Sequence, residues 1–187
     1  MGNSNFGGLI SNGVPVSTGL PLGPGEVFYL VAAKTSSNKY YWNLHKNRVN
    51  DNRIFTTLAS AYASMTTLQG DNLLVMPGDH VQTAALTWAK ADCRIIGLGS
   101  PNQRHQPSTL TDGAVRLTCK TAAVAHVLNI TGQYVQMWDI GTFNSAASTS
   151  NLTDVLVSAR NFLGVRCAFR GGNDATQVGN ASAGIPV

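Results

Sequence analysis

Residues 127–143, VLNITGQYVQMWDIGTF, and residues 155–169, VLVSARNFLGVRCAF, decide the fold, because the second segment follows the apolar pattern of the first. Val127 and Val155 lie 28 positions apart, and later apolar residues repeat at the same interval. An interval of about 20–30 residues, with short strands and no helix between them, is typical of a parallel β-solenoid. In such a fold each coil buries its inner face only by stacking on the next one.

Short apolar segments outside this repeat predict further strands, separated by residues that favour turns. One of them precedes its equivalent by about 42 positions, so we interpret residues 99–113 as an insertion. The predicted strands are Val27–Val31, Leu73–Met76, Ala84–Trp88, Cys93–Leu98, Val115–Cys119, Val127–Ile130, Val135–Ile140, Val155–Ser158 and Leu163–Phe169. The residues predicted to face inward are Leu74, Ile95, Leu117, Leu128, Val135, Met137, Leu156 and Val165.

An antiparallel β-sandwich is the competing architecture. Its strands would be joined by two-residue Asn-Gly or Asp-Gly turns. Asn12-Gly13 precedes the first strand, however, and Asp112-Gly113 ends the long insertion. The placement of these turns favours the solenoid, and the sandwich remains the alternative.

One segment has the periodicity of an amphipathic helix. Within residues 54–68, apolar Phe55, Leu58, Tyr62 and Met65 recur at steps of three and four. The open end of a solenoid exposes unpaired strand edges, which invite aggregation. We therefore expect this helix to cap the first coil.

The composition indicates one folded domain. The chain has 187 residues, of which 12% are charged, and its net charge is +4. No apolar run approaches the ~20 residues of a membrane-spanning helix, so we expect no membrane contact. Cys93, Cys119 and Cys167 lack the CxxC spacing of a zinc site and lie in strand-like segments. We interpret them as small buried apolar residues.

Residues 1–25 form a segment of different character, which we interpret as an extended N-terminal arm ahead of a β-domain at 26–187. Gly, Pro, Asn and Ser dominate it, and its apolar residues are widely spaced. Such a segment cannot form a core alone and is suited to lying along another surface. The residues predicted to bind a partner are Phe6, Leu9, Ile10, Val14 and Val16.

The basic residues cluster between positions 34 and 53, with Tyr40, Tyr41 and Trp42 among them. We interpret this segment as a polar, partly packed loop. Basic residues with interleaved aromatics also bind single-stranded nucleic acid, or an acidic protein partner. We expect no nucleic-acid function. The five residues are Lys34, Lys39, Lys46, Arg48 and Arg53.

Three motifs follow one another along the chain. They are Phe55-Thr56-Thr57-Leu58, then GDNLLVMPGDH at 70–80, then CRIIGLG at 93–99. This order resembles the opening of right-handed parallel β-helix proteins of the pectate-lyase-like (pectin lyase-like) superfamily. The resemblance covers about residues 26–170 and implies a β-helix fold with a capping helix. It says little about function, because this fold carries many functions.

The N-terminal residues 1–29 resemble the start of β-helix proteins encoded in tailed-bacteriophage virion gene clusters. The motifs are MGNSNF at 1–6, NGVPV at 12–16 and GEVFY at 25–29, with Gly7 where such proteins usually have Pro. The resemblance implies a virion structural protein, made in the host cytoplasm. A capsid decoration (cement) protein is the expected role, with the major capsid protein or another virion protein as partner and a homotrimer as the preferred assembly. The alternative is a tail spike or fibre module that binds or cleaves host polysaccharide.

The titratable residues give no pattern of a catalytic site. Polysaccharide-cleaving enzymes of this superfamily need clustered carboxylates, and the chain has no Asp-Asp or Asp-x-Asp. The nearest candidate is Asp139, about one repeat before Arg166 and Cys167, with either Asp112 or Asp154 as its second acid. The four histidines have no partner at metal-binding spacing. We expect no catalytic residue, no cofactor and no metal. The chain ends without a clear C-terminal cap, so we expect that it is a fragment of a longer solenoid.

Overall fold

The computed structural model describes most of the chain between residues 22 and 169, and two short N-terminal segments. The described residues are 9–11, 14–17, 22–99, 101, 114–119, 125–144 and 153–169.

Within these residues the chain is mostly strand, with two α-helices. The helices are α1 (Lys39–Lys46) and α2 (Leu58–Ser64), and a 3₁₀ turn spans Asp51–Arg53. The strands are β1 (Leu9–Ser11), β2 (Val14–Ser17), β3 (Val27–Leu30), β4 (Ile54–Phe55), β5 (Asn72–Val75), β6 (Gly78–Gln82), β7 (Leu86–Trp88), β8 (Arg94–Gly97), β9 (Val115–Cys119), β10 (His126–Ile130), β11 (Gln136–Trp138), β12 (Gly141–Asn144), β13 (Thr153–Val157), β14 (Leu163–Val165) and β15 (Ala168–Phe169).

From β5 onward, successive strands go to three different sheets in turn. The six-stranded sheet has the order β14-β11-β8-β5-β3-β4, the four-stranded sheet β15-β12-β9-β6, and the three-stranded sheet β13-β10-β7. All neighbouring strands within these three sheets are parallel. This arrangement confirms a β-rich fold with parallel sheets.

The repeat that predicts stacking is real, but its length is 27 residues rather than 28. Leu128 pairs with Val155 and Gln136 with Leu163, each 27 positions further along. A shift of one residue moves a strand's side chains to the opposite face of the sheet. Leu156 therefore lies beside Asn129 rather than Leu128.

The buried apolar side chains form two clusters. The inner cluster takes residues from all three sheets and includes five of the predicted inward positions. These are Ile95, Leu117, Leu128, Val135 and Met137.

The other three predicted inward positions were wrong. Leu74 belongs to the second cluster, which lies on the opposite face of the six-stranded sheet and which we call the outer cluster. Leu156 and Val165 are only half-buried and lie outside the inner cluster. The one-residue error in register explains the misplacement of Leu156 and Val165. On β13, for example, Val155 and Val157 take the inner face instead.

Strands β6 and β12 were not predicted, because their inward residues are polar. His80 and Gln82 of β6 are buried at the level of Leu117 and Cys119 of the inner cluster. Thr142 of β12 is fully buried in the same way. Without an apolar alternation, neither segment has the sequence pattern of a strand.

Helix α2 is shorter than the predicted helix at 54–68. Ile54–Phe55 is instead strand β4, paired with β3. The helix begins after Thr57, whose side chain accepts a hydrogen bond from the Ser60 amide at 3.2 Å. It ends at Met65, which adopts an extended conformation.

The predicted apolar stripe nevertheless packs onto the inner cluster. Leu58 and Met65 are buried, and Phe55 and Tyr62 pack against the same cluster. Lys90 holds the other end of α2 by donating hydrogen bonds to its last carbonyl groups, including that of Ala63 at 3.0 Å. Cations stabilise helix C-termini in this way. The helix therefore covers one end of the inner cluster, as predicted.

Residues with a left-handed backbone conformation recur at the same place in successive repeats. Gly70, Asp92, Tyr134 and Asn161 all have φ between 51° and 72°. Each lies two positions before a strand of the six-stranded sheet. The same turn therefore recurs before β5, β8, β11 and β14.

Candidate partner-binding surfaces

The N-terminal segment predicted to bind a partner contains a strand pair of its own. Strands β1 and β2 are antiparallel, with Ile10 opposite Pro15 and Ser11 opposite Val14. They form a separate two-stranded sheet that joins none of the three parallel sheets. The sequence predicts a single extended arm, whereas the structure pairs two short strands within it. Predicted binding residues Leu9, Ile10, Val14 and Val16 lie on the pair, and Phe6 lies outside the described residues.

The last residues of the predicted arm belong to the folded body. We call residues 22–26 the arm root. The Gly23 amide donates to the Asn72 side-chain oxygen at 2.7 Å, and the Glu26 amide donates to Asp71 Oδ1 at 2.8 Å. Leu22 packs against the outer cluster. Residues 22–25, which the sequence assigns to the arm, therefore belong to the folded body.

The two glycines of the arm root are required by close backbone approach. A Cβ on Gly25 would lie 2.4 Å from Asp71 Oδ1, and one on Gly23 would lie 2.4 Å from the Gly70 carbonyl oxygen. Real Cβ atoms do not approach so closely. The Gly-x-Gly spacing at 23–25 thus allows the chain to lie along the turn before β5.

The basic segment at 34–53 is not the loop that the sequence predicts. Asn38 caps α1 by accepting hydrogen bonds from the Tyr40 and Tyr41 amides at 3.0 and 3.3 Å. Leu44 is buried in the outer cluster, with Tyr40 and Tyr41 packed against it. Helix α1 therefore covers the outer face of the six-stranded sheet.

Trp42 projects from the opposite side of α1 and is 51% exposed. The His45 ring stacks on its indole at 6.4 Å between centroids with an interplanar angle of 18°. Tyr41 contacts the same imidazole at 6.0 Å. Trp42 and His45 thus form an exposed aromatic group on the helix. They are three residues apart, so a helix predicted over this segment would have placed them side by side.

Each carboxylate in the described part of the chain has a polar partner. Two of them form the buried and exposed arginine pairs Asp79–Arg116 and Asp139–Arg166. In the second pair the two hydrogen bonds are both 2.6 Å. The other partners are Arg53 for Glu26, Lys34 for Asp51, Arg94 for Asp92, and backbone amides for Asp71 and Asp154.

The Asp79–Arg116 pair lies on the outer face of the four-stranded sheet. Arg116 donates from Nε and Nη2 to the two carboxylate oxygens at 3.2 and 3.1 Å. Thr118 donates to Asp79 Oδ1, and the guanidinium lies over the Phe143 ring at 5.9 Å. The two parallel hydrogen bonds make this a bidentate pair, which is the arrangement of a structural ion pair.

His80 lies on the inner face of β6 and is held by the preceding turn. Its Nε2 is 2.8 Å from the Met76 carbonyl oxygen, and its Nδ1 has no hydrogen-bond partner among the residues that the structure describes. Burial lowers the pKa of His80, and the hydrogen bond to Met76 and the charge of Asp79 oppose that shift. The imidazole is therefore kept neutral, with Nε2 as the donor.

Two of the three cysteines are buried as predicted, and Cys167 is half-buried. Burial, with the nearby carboxylates of Asp71 and Asp92, raises the pKa of Cys93 to about 11. A thiol with so high a pKa is a poor nucleophile at neutral pH.

Neither a metal cluster nor a membrane-spanning helix is present in the residues that the structure describes. No three His, Cys, Asp or Glu side chains there are grouped to hold a metal ion. No helix there is both long and apolar enough to cross a membrane.

Comparisons of the chain with protein-family models, with characterised proteins and with solved structures found no match. The functional argument therefore depends on the residues and the geometry given above.

Proposed function

We propose that this chain is a non-enzymatic structural protein of a bacteriophage virion, a capsid decoration protein attached to the shell by its N-terminal arm. Its partner is the major capsid protein or another virion protein, and its preferred assembly is a homotrimer at a threefold position. The observation that carries the proposal is the separate pairing of β1 and β2, ahead of an arm root fixed to the body.

The proposed body is a right-handed parallel β-helix. Its support is the rotation of successive strands through three parallel sheets, with repeats of 27 residues between β10 and β13 and between β11 and β14. Right-handed connections between parallel strands are strongly favoured in proteins. Helix α2 then covers the first coil, as in the superfamily that the sequence resembles.

The arm suits attachment because it carries apolar residues on strands that belong to no sheet of the body. Leu9, Ile10, Val14 and Val16 lie on these strands. A two-stranded pair is marginally stable alone and gains from packing on a larger surface. Attachment through such a segment spreads contact over a wide area of the partner.

The state of the acidic residues supports a scaffold rather than an enzyme. A catalytic carboxylate needs access to substrate and a tuned pKa. The described carboxylates instead bind arginine, lysine or backbone amides, as at Asp79, Asp139 and Asp154. We therefore propose no hydrolase or lyase activity for this chain.

A tail spike or fibre module that binds host polysaccharide is the second candidate. The observation that favours it is the exposed indole of Trp42, because aromatic faces stack on sugar rings. This candidate places the chain on the tail instead of the shell.

The experiment that tests the proposal is mass spectrometry of purified heads and purified tails from the phage that encodes the chain. We expect the chain in the heads at a constant ratio to the major capsid protein. Its presence in tails alone, with release of oligosaccharide from host polysaccharide that is lost in Asp139→Asn or Asp154→Asn, would establish the second candidate instead. Its absence from both fractions would overturn the proposal.

A further inference from the structure

Helix α1 packs one face against the body of the protein and exposes the opposite face. Leu44 and Tyr40 pack the inner face onto the outer cluster. On the outer face Trp42 is half exposed, whereas Trp88 is fully buried and Trp138 is partly buried with its indole N–H bonded to Gln136. Trp42 is therefore the tryptophan that remains for contact with another molecule.

The position of Trp42 is held by its neighbours rather than free. His45 stacks on the indole from the next turn of the helix, and Tyr41 also contacts His45. The Tyr41 hydroxyl in turn donates to Asp51 Oδ1 at 3.3 Å. An anchor that is already ordered loses less side-chain entropy on binding.

Basic side chains outnumber acidic ones around Trp42. Lys39 and Lys46 lie three residues before it and four after it, on the same side of the helix, and Arg48 follows the helix. The helix contains no acidic residue. The nearest acid in sequence, Asp51, binds Lys34 and Tyr41. Charge complementarity therefore selects an anionic partner.

The geometry favours a protein surface over a nucleic acid strand. Proteins that bind single strands use a groove with several aromatic side chains, one for each successive base. Helix α1 lies on the outside of a sheet and offers one exposed indole, Trp42, with a cation on each side. A single aromatic anchor ringed by charged residues is typical of a protein–protein contact, in which Trp and Arg carry most of the binding energy.

We propose that the outer face of α1 is a docking surface for an acidic protein partner, with Trp42 as its apolar anchor and Lys39, Lys46 and Arg48 as its cationic rim. This inference rests on the proposed function in one respect, since the partner it describes is an acidic surface of the shell. It adds a second contact beside the arm. The arm supplies apolar contact area, and α1 supplies register and electrostatic steering.

The test uses fluorescence anisotropy of two labelled probes, an acidic peptide of alternating Glu and Leu and an oligo-dT of equal charge. Both are titrated with the full chain. We expect the peptide to bind more tightly than the oligo-dT, and its affinity to fall as salt is raised. Trp42→Ala is expected to weaken peptide binding by about tenfold or more. The double variant Lys39→Gln/Lys46→Gln is expected to weaken it mainly at low salt.

Matched controls separate the proposed surface from the rest of the molecule. Val81 is as exposed as Trp42, at 50%, but lies on β6. Val81→Ala and Arg160→Gln are therefore expected to leave peptide binding within about twofold of the native value. Circular dichroism of every variant confirms that it is folded.

Two results would overturn the inference. The first is binding of oligo-dT as tight as binding of the peptide, which would make the surface a nucleic-acid site. The second is peptide binding that is absent or is unchanged by Trp42→Ala. Neither result bears on whether the chain is found in virions, so failure of this inference is distinguishable from failure of the proposed function.

Discussion

Arg116 lies directly opposite Asp79 on the neighbouring parallel strand, and its guanidinium makes two hydrogen bonds to that carboxylate while its side chain is only 6% exposed. The pair links β6 to β9, two strands that are separated along the chain by β7, β8 and the segment at 99–113. It therefore fixes the register of a sheet across a large separation in sequence.

Removal of Arg116 is expected to destabilise the protein strongly. Arg116→Ala leaves the Asp79 carboxylate, whose side chain is 15% exposed, without its cation, and the loss of one partner costs about 3–5 kcal/mol in a fully buried pair. Asp79→Asn/Arg116→Met removes both charges and is expected to recover most of that free energy. Urea denaturation followed by circular dichroism measures each free energy of unfolding.

The second arginine pair provides the control for this prediction. Arg166 binds Asp139 with similar geometry, but its side chain is 63% exposed. Because exposed pairs contribute little, Arg166→Ala is expected to change the unfolding free energy far less than Arg116→Ala. Equal losses in the two variants would show that the Asp79–Arg116 pair is not buried as described.

Gly97 is predicted to tolerate no side chain. A Cβ at this position would lie 2.1 Å from the carbonyl oxygen of Asp139, which directly follows β11, the strand paired with β8. Gly97→Ala is expected to destabilise the protein by about 1–3 kcal/mol, because β8 and β11 must separate to make room. At Gly164 the closest atom to a Cβ would be 3.4 Å away, so Gly164→Ala is the matched control. A melting temperature that is unchanged in Gly97→Ala would contradict the stacking.

The cover formed by α2 is tested by one buried and one exposed position on the same turn. Leu58 is buried against the inner cluster, whereas its neighbour Ala59 is exposed. Leu58→Asp places an unpaired charge in the core and is expected to cost several kcal/mol, about 3 or more. Ala59→Asp introduces the same charge near the helix N-terminus and is expected to have little effect. Similar stabilities of the two variants would mean that α2 does not cover the core.

The stability of the protein is expected to fall in mild acid because of His80. Burial lowers the pKa of His80 in the folded chain below the ordinary value of 6.5, so the unfolded chain binds a proton at a pH where the folded chain does not. The stability from this group is complete above pH 6.5 and decreases as the pH falls. The slope from this group cannot exceed about 1.4 kcal/mol per pH unit, the value for one whole proton.

Chemical denaturation at several pH values between about 5 and 7.5 measures this slope, in a range where most carboxylates stay ionised. His80→Gln is expected to flatten it. His126, whose pKa burial also lowers, supplies any slope that remains. A native slope that persists in His80→Gln would assign the acid sensitivity to another group.

The sequence predicts the strands with apolar inner faces and fails where that signal is absent. Apolar runs mark β5, β8 and β9 correctly, and the stripe through Leu58 and Met65 marks α2. Residues 127–130 and 155–157 are apolar almost throughout, so they show no alternation, and the register from sequence is one residue out. Strand β6 is not predicted from the sequence, because its buried residues, His80 and Gln82, are polar.

The candidate surfaces were only partly predictable for a related reason. The apolar residues of the arm stand out in a Gly- and Pro-rich segment, but the arm root depends on contacts with Asp71 and Asn72, about 45 residues away in sequence. Helix α1 has only eight residues and begins at the Asn38 cap, so its periodicity is short. Its outer face, with Trp42, becomes apparent once Leu44 is known to be buried.

The arm is tested by deleting residues 1–21, which keeps the arm root on the body. Deletion of residues 1–25 would also remove the contacts of Gly23 with Asn72 and would confuse attachment with folding. Circular dichroism and the melting temperature of the shortened chain should match those of the full chain, because β1 and β2 join none of the parallel sheets.

The most direct measurement of the central claim is binding of the full and the shortened chains to phage heads that lack the protein, followed by sedimentation. We expect the full chain to saturate the heads and the chain lacking residues 1–21 to lose at least about tenfold in affinity, because the apolar anchors of the arm are gone. Unchanged affinity of the shortened chain would contradict attachment through the arm.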